Sequence, residues 1–296
     1  MIPFGSLRER LMRKGLLGTD AGNYGAPDEL MLISSGKLSH LSQFSVLCGP
    51  SRRRVIVRQP SREILPIAHP HSPLSGETNL VQGTQFTFQR ELWDGKKWTS
   101  DTSTSSASLA VGLRDLCAGS VDGFSTETSE RVPLHGPFWA GALSYDLVQL
   151  TQPIQLQHPP HEGGLLCVLW EIERCIVFDK EHEQLTVLSV DHDWKQNVDA
   201  CMKEEVEVNP MSELIQCQPP LSNSTDEEHE EIVRNVQSSI TDGQLYQLNY
   251  GRSWEGEIKS EPWDVFCHSV SSNPAPYSGF LHMKDEEIAL VSASPE

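Results

Sequence analysis

The chain has 296 residues, 38% hydrophobic and 22% charged, with 21 Gly and 19 Pro; this is ordinary globular composition and excludes collagen-like, coiled-coil and disordered classes, at a length that supports a large core. Lys+Arg 23 against Asp+Glu 41 gives a formal net charge of −18, a field that repels phosphate backbones and argues against a nucleic-acid partner. The longest apolar run, Leu165 to Trp170, has strand length and falls well short of the roughly 20 residues a membrane-crossing helix needs, so a soluble chain with no membrane partner is expected.

The N-terminal stretch carries Arg8, Arg10, Arg13 and Lys14 and lacks the apolar core of a secretory signal. An exposed amphipathic helix is expected there, with Leu7, Leu11 and Leu17 near one face; a short transit peptide is the alternative, and the expected location is the cytoplasm. Strand-like runs then begin near Met31: MLISSG, QFSVLCG and RRRVIVR, each bounded by Gly, Ser or Pro. The basic run Arg52, Arg53, Arg54 and Arg58 reads as a solvated strand end, with an anion site as the alternative. Phe86–Trp93 reads as a strand, residues 100–108 as a polar loop or linker, and Phe138–Asp146 as a buried strand whose Gly141 admits a close backbone approach. Leu165–Phe178 and Gln184–Val190 flank a polar turn and predict a hairpin.

Glu204 to Thr225 is acidic and then Pro-rich, and reads as the main internal linker. Its Asn223-Ser224-Thr225 sequon reads as a turn before a helix rather than a glycosylation site. Thr225 and Glu228 form a capping-box pair; Ile232, Val233, Val236 and Ile240 mark the apolar face of the helix that follows, and Asp242-Gly243 ends it. Gln244–Trp254 reads as a strand and Trp263–Val270 as a short helix opened by Pro262. Asn273-Pro274-Ala275-Pro276 is a rigid turn, and Gly279–Met283 and Ile288–Ser292 are strands around Lys284-Asp285-Glu286-Glu287.

Little in this pattern carries chemistry by itself. The seven cysteines (Cys48, Cys117, Cys167, Cys175, Cys201, Cys217 and Cys267) form no C-x-x-C pair and read as free thiols in a reducing compartment. His69, His71, His158 and His161 sit in Pro-rich loops without metal-ligand spacing. Phosphate-binding glycine loops and the G-x-S-x-G elbow are missing from the sequence.

The last third is more specific. Gly243-Gln244-Leu245-Tyr246-Gln247-Leu248-Asn249, then Asn273-Pro274-Ala275-Pro276-Tyr277, then Ser292-Ala293-Ser294-Pro295-Glu296 occur in the order and register of the chorismate-utilising amidotransferases. Upstream, Gly141-Ala142-Leu143-Ser144-Tyr145-Asp146 resembles the G-x-x-S/G-Y-D strand of that family, and Leu32-Ile33-Ser34-Ser35-Gly36 with Ser42-Gln43-Phe44-Ser45 resembles its N-terminal regulatory strands. The fragments LISS and NPAPYSGF are more similar to aminodeoxychorismate synthase component I than to anthranilate synthase component I, which is the alternative. A non-catalytic module of the same ancestry, binding an amino acid or a partner, is the rival from another class.

The resemblance implies an α+β fold of stacked antiparallel sheets with peripheral helices, incomplete at the C-terminus. It implies an N-terminal extension over residues 1–30, a regulatory-type domain over 31–208, a linker over 209–225 and the start of a chorismate-binding domain over 226–296. The implied activity is amination of chorismate with ammonia from a glutaminase partner, in the folate and p-aminobenzoate route. Magnesium is the implied cofactor of the complete enzyme, with ligands outside this chain. Hydroxide is a poor leaving group and needs a proton donor; by position that donor is Glu296. The lysine that forms the covalent adduct belongs to a P-I-K-G-T motif beyond the residues present, so the isolated 1–296 polypeptide is expected to be inactive. The resemblance also implies a tryptophan pocket built from Ser35, Leu41, Ser42, Gln43, Phe44, Pro276, Tyr277 and Ser278. Leu41 replaces a common aromatic there, and Gln43 a common arginine.

Overall fold

A computed structural model describes residues 4–37, 39, 42–60, 86–117, 123–124, 132, 134–150, 160–204 and 218–294. Their contacts divide them into two compact units, Met1–Asn209 with Ser269–Glu296, and Pro210–His268.

The first unit contains two antiparallel sheets. The six-stranded sheet is built from β1 (Glu29–Ile33), β2 (Phe44–Cys48), β8 (Arg174–Asp179), β9 (Gln184–Ser189), β12 (Tyr277–Met283) and β13 (Ile288–Ser294), in the order β13-β12-β1-β2-β8-β9. The five-stranded sheet has β3 (Arg53–Arg58), β4 (Phe86–Trp93), β5 (Trp98–Ser106), β6 (Phe138–Leu143) and β7 (Leu165–Ile172), in the order β5-β4-β3-β7-β6. Leu30, Cys48, Val177, Leu281 and Met283 of the first sheet meet Ile56, Val168, Trp170 and Ile172 of the second in one core. The sheets are therefore stacked, each burying one face against the other. Helix α2 (Leu109–Leu116) covers the outer face of the five-stranded sheet, over Val55, Val57, Phe86 and Phe88. Helices α1 (Gly5–Arg13) and α3 (His192–Met202) pack on each other. This is the expected α+β architecture of stacked antiparallel sheets with peripheral helices.

Several local expectations need correction. The N-terminal helix is not exposed: Phe4, Leu7, Leu11 and Leu17 are buried. Arg8 makes a two-pronged pair with buried Glu29 at 2.6 and 3.0 Å, and Trp194 Nε1 donates to Leu16 O at 3.0 Å. Residues 100–108 are not a loop through most of their length. They run into edge strand β5, where Thr99, Thr102 and Thr104 supply β-branched residues without any need for alternation, because much of the strand faces solvent. Phe138–Asp146 is not a buried strand: β6 is half-exposed and ends at Leu143, which is 55% exposed. Its close approach is real, since a Cβ on Gly141 would collide with Val168 O. The long run Leu165–Phe178 is not one hairpin arm. It breaks at Glu173, giving β7 to one sheet and β8 to the other; only β8 pairs with β9.

The basic run departs from the expected solvated strand end at Arg54, while Arg52, Arg53 and Arg58 stay partly exposed. Arg54 is 2% exposed and lies between the sheets. Its Nε donates to Glu91 (2.6 Å), Nη1 and Nη2 to Asp285 (2.9 and 2.6 Å), and its guanidinium stacks 4.5 Å from the Trp98 ring. Asp28 Oδ2 stands 3.5 Å from Arg54 Nη1 and accepts from Trp98 Nε1 (3.2 Å) and Trp170 Nε1 (3.0 Å). Burial pushes the Asp28 carboxyl above its ordinary pKa, with Arg54 opposing the rise. Arg53 pairs with Glu171, Arg58 with Glu286, and Arg52 with Asp191. Carboxylates from distant parts of the chain neutralise the whole run.

The second unit holds α4 (Asp226–Thr241) and a short pair of β10 (Leu221–Ser222) with β11 (Trp254–Glu255). The capping box is present in both directions: Glu228 N donates to Thr225 Oγ1 at 3.2 Å and Thr225 N to Glu228 Oε2 at 2.9 Å. The α4 face of Ile232, Val233 and Val236 is only half-buried, and Ile240 is exposed. Gln244–Ser253 is not a strand; no described strand lies alongside it, and Tyr246 is 95% exposed. Helix α5 (Pro262–Ser272) opens with proline as expected.

Of the cysteines, Cys48, Cys117, Cys167, Cys175, Cys201 and Cys267 are free thiols. Cys217, most of the expected linker, His69, His71 and His158 lie outside the described residues. No described helix is long and apolar enough to cross a membrane.

Candidate functional site

Three of the family-like motifs meet at one end of the six-stranded sheet. Strand β1 delivers Leu32-Ile33 and then Ser34-Ser35. Strand β12 begins just after Asn273-Pro274-Ala275-Pro276, and β13 carries Ser292-Ala293-Ser294. Register places Ile33 opposite Ser278, and Tyr277 opposite Ser294. Glu296 and Leu41 lie outside the described residues.

The corner is held by a reciprocal set of bonds. Ser35 N donates to Ala275 O (3.0 Å), Ser35 Oγ donates to the same oxygen (2.5 Å), and Ala275 N donates back to Ser35 Oγ (2.8 Å). Ser278 is buried, with its hydroxyl 3.5 Å from Ser35 Oγ and 3.4 Å from Ala275 O. The prolines explain the shape. Pro274 and Pro276 fix φ and carry no N–H, so within the turn the donor to Ser35 is the Ala275 amide, and the Ala275 carbonyl accepts in return. Pro276 is half-buried and Tyr277 is 43% exposed, which leaves an apolar, partly open flank.

The other expected residues are turned to different partners. Ser42 is buried and its Oγ donates to Lys37 O (2.6 Å). Gln43 Nε2 donates to Glu181 (3.0 Å) and Asp179 (3.4 Å). Phe44 opens β2 and packs on the intersheet core. The structure thus joins Ser35 to Ser278 and the proline turn, while Ser42, Gln43 and Phe44 make their contacts elsewhere.

The β8–β9 turn forms where the sequence places it, but its contacts with Gly36 and Gln43 have no signal in the sequence. Lys180 Nζ donates to Gly36 O (2.6 Å) and Lys180 N to Gln43 O (3.0 Å). Asp179 Oδ2 lies 2.7 Å from His182 Nδ1. Burial raises the Asp179 pKa, but hydrogen bonds from His182, Gln43 and the Glu181 amide outweigh it, so this carboxyl lies below its ordinary value. Burial alone lowers Lys180. These residues lie 136 to 144 positions from Gln43 and Gly36, and nothing local in the sequence connects them.

Among the described residues, no group of three or more His, Cys, Asp or Glu side chains is placed to hold a metal ion; the resemblance puts the magnesium ligands outside this chain.

The family profile described as chorismate binding enzyme matches residues 83–296, more than half of the chain. The chain belongs to the chorismate binding enzyme family. It is 28% identical over 116 residues to aminodeoxychorismate synthase component 1 of Escherichia coli (strain K12), covering 39% of this chain and 25% of that protein. It is 27% identical over 173 residues to anthranilate synthase component 1 of Buchnera aphidicola subsp. Diuraphis noxia, covering 54% of this chain and 32% of that protein. Among solved structures, anthranilate synthase component I of Streptococcus pneumoniae TIGR4 matches with a TM-score of 0.48 at 14% identity, over 88% of this chain and 52% of that one. The chain thus spans about a quarter to a third of the length of these two curated relatives.

Proposed function

We propose that this chain is part of the large subunit of an aminodeoxychorismate synthase. The enzyme aminates chorismate to 4-amino-4-deoxychorismate with ammonia from a glutaminase partner, supplying p-aminobenzoate for folate in the cytoplasm. The choice of member is supported by the fragments Leu32-Ile33-Ser34-Ser35 and Asn273–Ser278, which the Ser35–Ala275 bond set brings together. These two fragments are parts of one corner rather than separate coincidences. In this reading Glu296 donates the proton to the departing ring hydroxyl. Magnesium is bound by residues outside this chain. In this reading the Ser35 corner with Pro276–Ser278 takes L-tryptophan as a regulatory ligand, its ring against the open flank of Tyr277.

The test is product analysis. The native protein carrying this sequence is incubated with chorismate, magnesium and ammonium, and the products are separated by chromatography. Formation of 4-amino-4-deoxychorismate supports the proposal. Anthranilate replaces it with the second reading, anthranilate synthase component I, which the match to the Buchnera protein favours. Unchanged chorismate overturns the enzyme reading in favour of a binding module.

A further inference from the structure

The β1–β2 connection leaves the sheet at Ile33 and re-enters at Phe44. One residue outside it, Lys180 in the β8–β9 turn, holds both of its ends. Lys180 N donates to Gln43 O at 3.0 Å, extending the β2–β8 ladder by one rung. Lys180 Nζ crosses to Gly36 O at 2.6 Å. Gly36 adopts φ +77°, and a Cβ there would lie 3.6 Å from Pro274 O. Gly36 follows Ser35 directly, so moving its carbonyl moves the hydroxyl that Ala275 holds. Contact therefore runs unbroken from Lys180 through Gly36 and Ser35 to Ala275. Glu181, on the same turn, fixes the Gln43 side chain at 3.0 Å. A bond from an ionised donor is roughly twice as strong as a neutral one, and Lys180 is half-buried, with part of its hydration already lost.

We infer that Lys180 is a positioning residue: it closes the β1–β2 connection across its two ends, and so sets the geometry of the Ser35–Ala275–Ser278 corner and its affinity for an amino-acid ligand. The affinity clause rests on the tryptophan reading proposed above; the geometric clause does not.

The test uses the full 296-residue chain as wild type, Lys180→Met and Lys180→Arg. Methionine keeps an apolar stem and removes the donor; arginine restores a donor. Two quantities are measured: hydrogen exchange at the Ser35 and Ala275 amides, and the calorimetric Kd for L-tryptophan. In Lys180→Met, exchange at both amides accelerates about tenfold, the effect of one lost charge-assisted hydrogen bond, while Ile176 and Val177 on β8 keep their protection. Tryptophan binding weakens by about the same factor, and Lys180→Arg recovers both to within about threefold. Unchanged exchange at Ser35 and Ala275 overturns the inference whether or not tryptophan binds. Equal acceleration across β8 also overturns it, because Lys180 would then act on stability alone. Accelerated exchange in a protein whose wild type takes up no tryptophan upholds the positioning role and removes the tryptophan reading instead.

Discussion

Replacing Arg54 by Met tests whether the intersheet charge cluster holds the two sheets together. Methionine fills much of the same space but removes the guanidinium that three carboxylates share. The Asp28 and Glu91 side chains are 4% and 11% exposed, so neither recovers full hydration when the partner is lost. Breaking a buried pair in this way costs about 3–5 kcal/mol. Asp285 is 37% exposed and adds no more than about 1 kcal/mol after solvent screening. Lost stacking on Trp98 is worth about 0.5–2 kcal/mol and overlaps with the first figure. An overall loss of about 4 kcal/mol is expected, a large share of the roughly 5–15 kcal/mol that stabilises a typical domain. The sign with pH follows from Asp28. Its carboxyl is already raised above the model-peptide range by burial, and without Arg54 it rises further. A raised carboxylate destabilises the fold above its folded pKa, and protonation relieves it. The deficit of Arg54→Met is therefore largest at neutral pH and shrinks as pH falls toward the Asp28 pKa. Urea titrations of Arg54→Met and of the triple variant R54M/D28N/E91Q measure both effects. The triple variant leaves only the partly exposed Asp285 carboxylate without its partner and recovers more than half of the loss. A single variant within about 1 kcal/mol of wild type, or a triple variant less stable than the single, would refute the reasoning.

Gly141→Ala places a Cβ where Val168 O already stands; the β6–β7 pair must yield, at about 2–3 kcal/mol, read by urea denaturation. Thr225→Ala removes one direction of the α4 capping box and costs about 1 kcal/mol, seen as faster amide exchange in the first turn of α4 with the stacked sheets unaffected. Asp191 caps α3 and pairs with Arg174. Burial raises its pKa, but the Trp194 amide and Arg174 prevail, so the folded value lies below that of an ordinary aspartate. Its contribution is present above pH 3.8 and is lost as pH falls through the folded pKa. Asp191→Asn therefore flattens that part of the acid-stability profile, and an unchanged slope would count against the assignment.

What the sequence made legible was local. The α4 capping box, the Pro262 helix start and the β12–β13 hairpin each depend on residues a few positions apart, and all three form as expected. The failures are non-local or concern partners. In Leu165–Phe178 the change of sheet falls at the charged stretch Glu171–Arg174, but the apolar residues on both sides are buried against the same core, so the segment reads as one strand. Gln244–Ser253 has strand-like residues, but a strand forms only where another chain segment accepts its hydrogen bonds, and no described strand does so.

The arginine run shows the same limit from the side of charge. Four arginines within seven positions read as a basic surface, yet Arg54 finds Glu91 and Asp285 at separations of 37 and 231 residues. Separation of that size hides the pairing from any local pattern, and it also gives the pairing its structural consequence. Asp285 sits at the tip of the β12–β13 hairpin, and the opposite end of that hairpin carries Tyr277 and Ser294 at the candidate site. Lys284 N, beside Asp285, donates to Asp28 Oδ1 at 3.1 Å, and Glu286 pairs with Arg58. The hairpin is thus clasped at its tip by the five-stranded sheet and bonded at its base to Ser35. Each arginine of β3 has at least one carboxylate partner, Glu171 for Arg53, Glu91 and Asp285 for Arg54 and Glu286 for Arg58, and two of those four partners sit in this one hairpin turn, so the pairing that hides the charge also ties the hairpin to the five-stranded sheet.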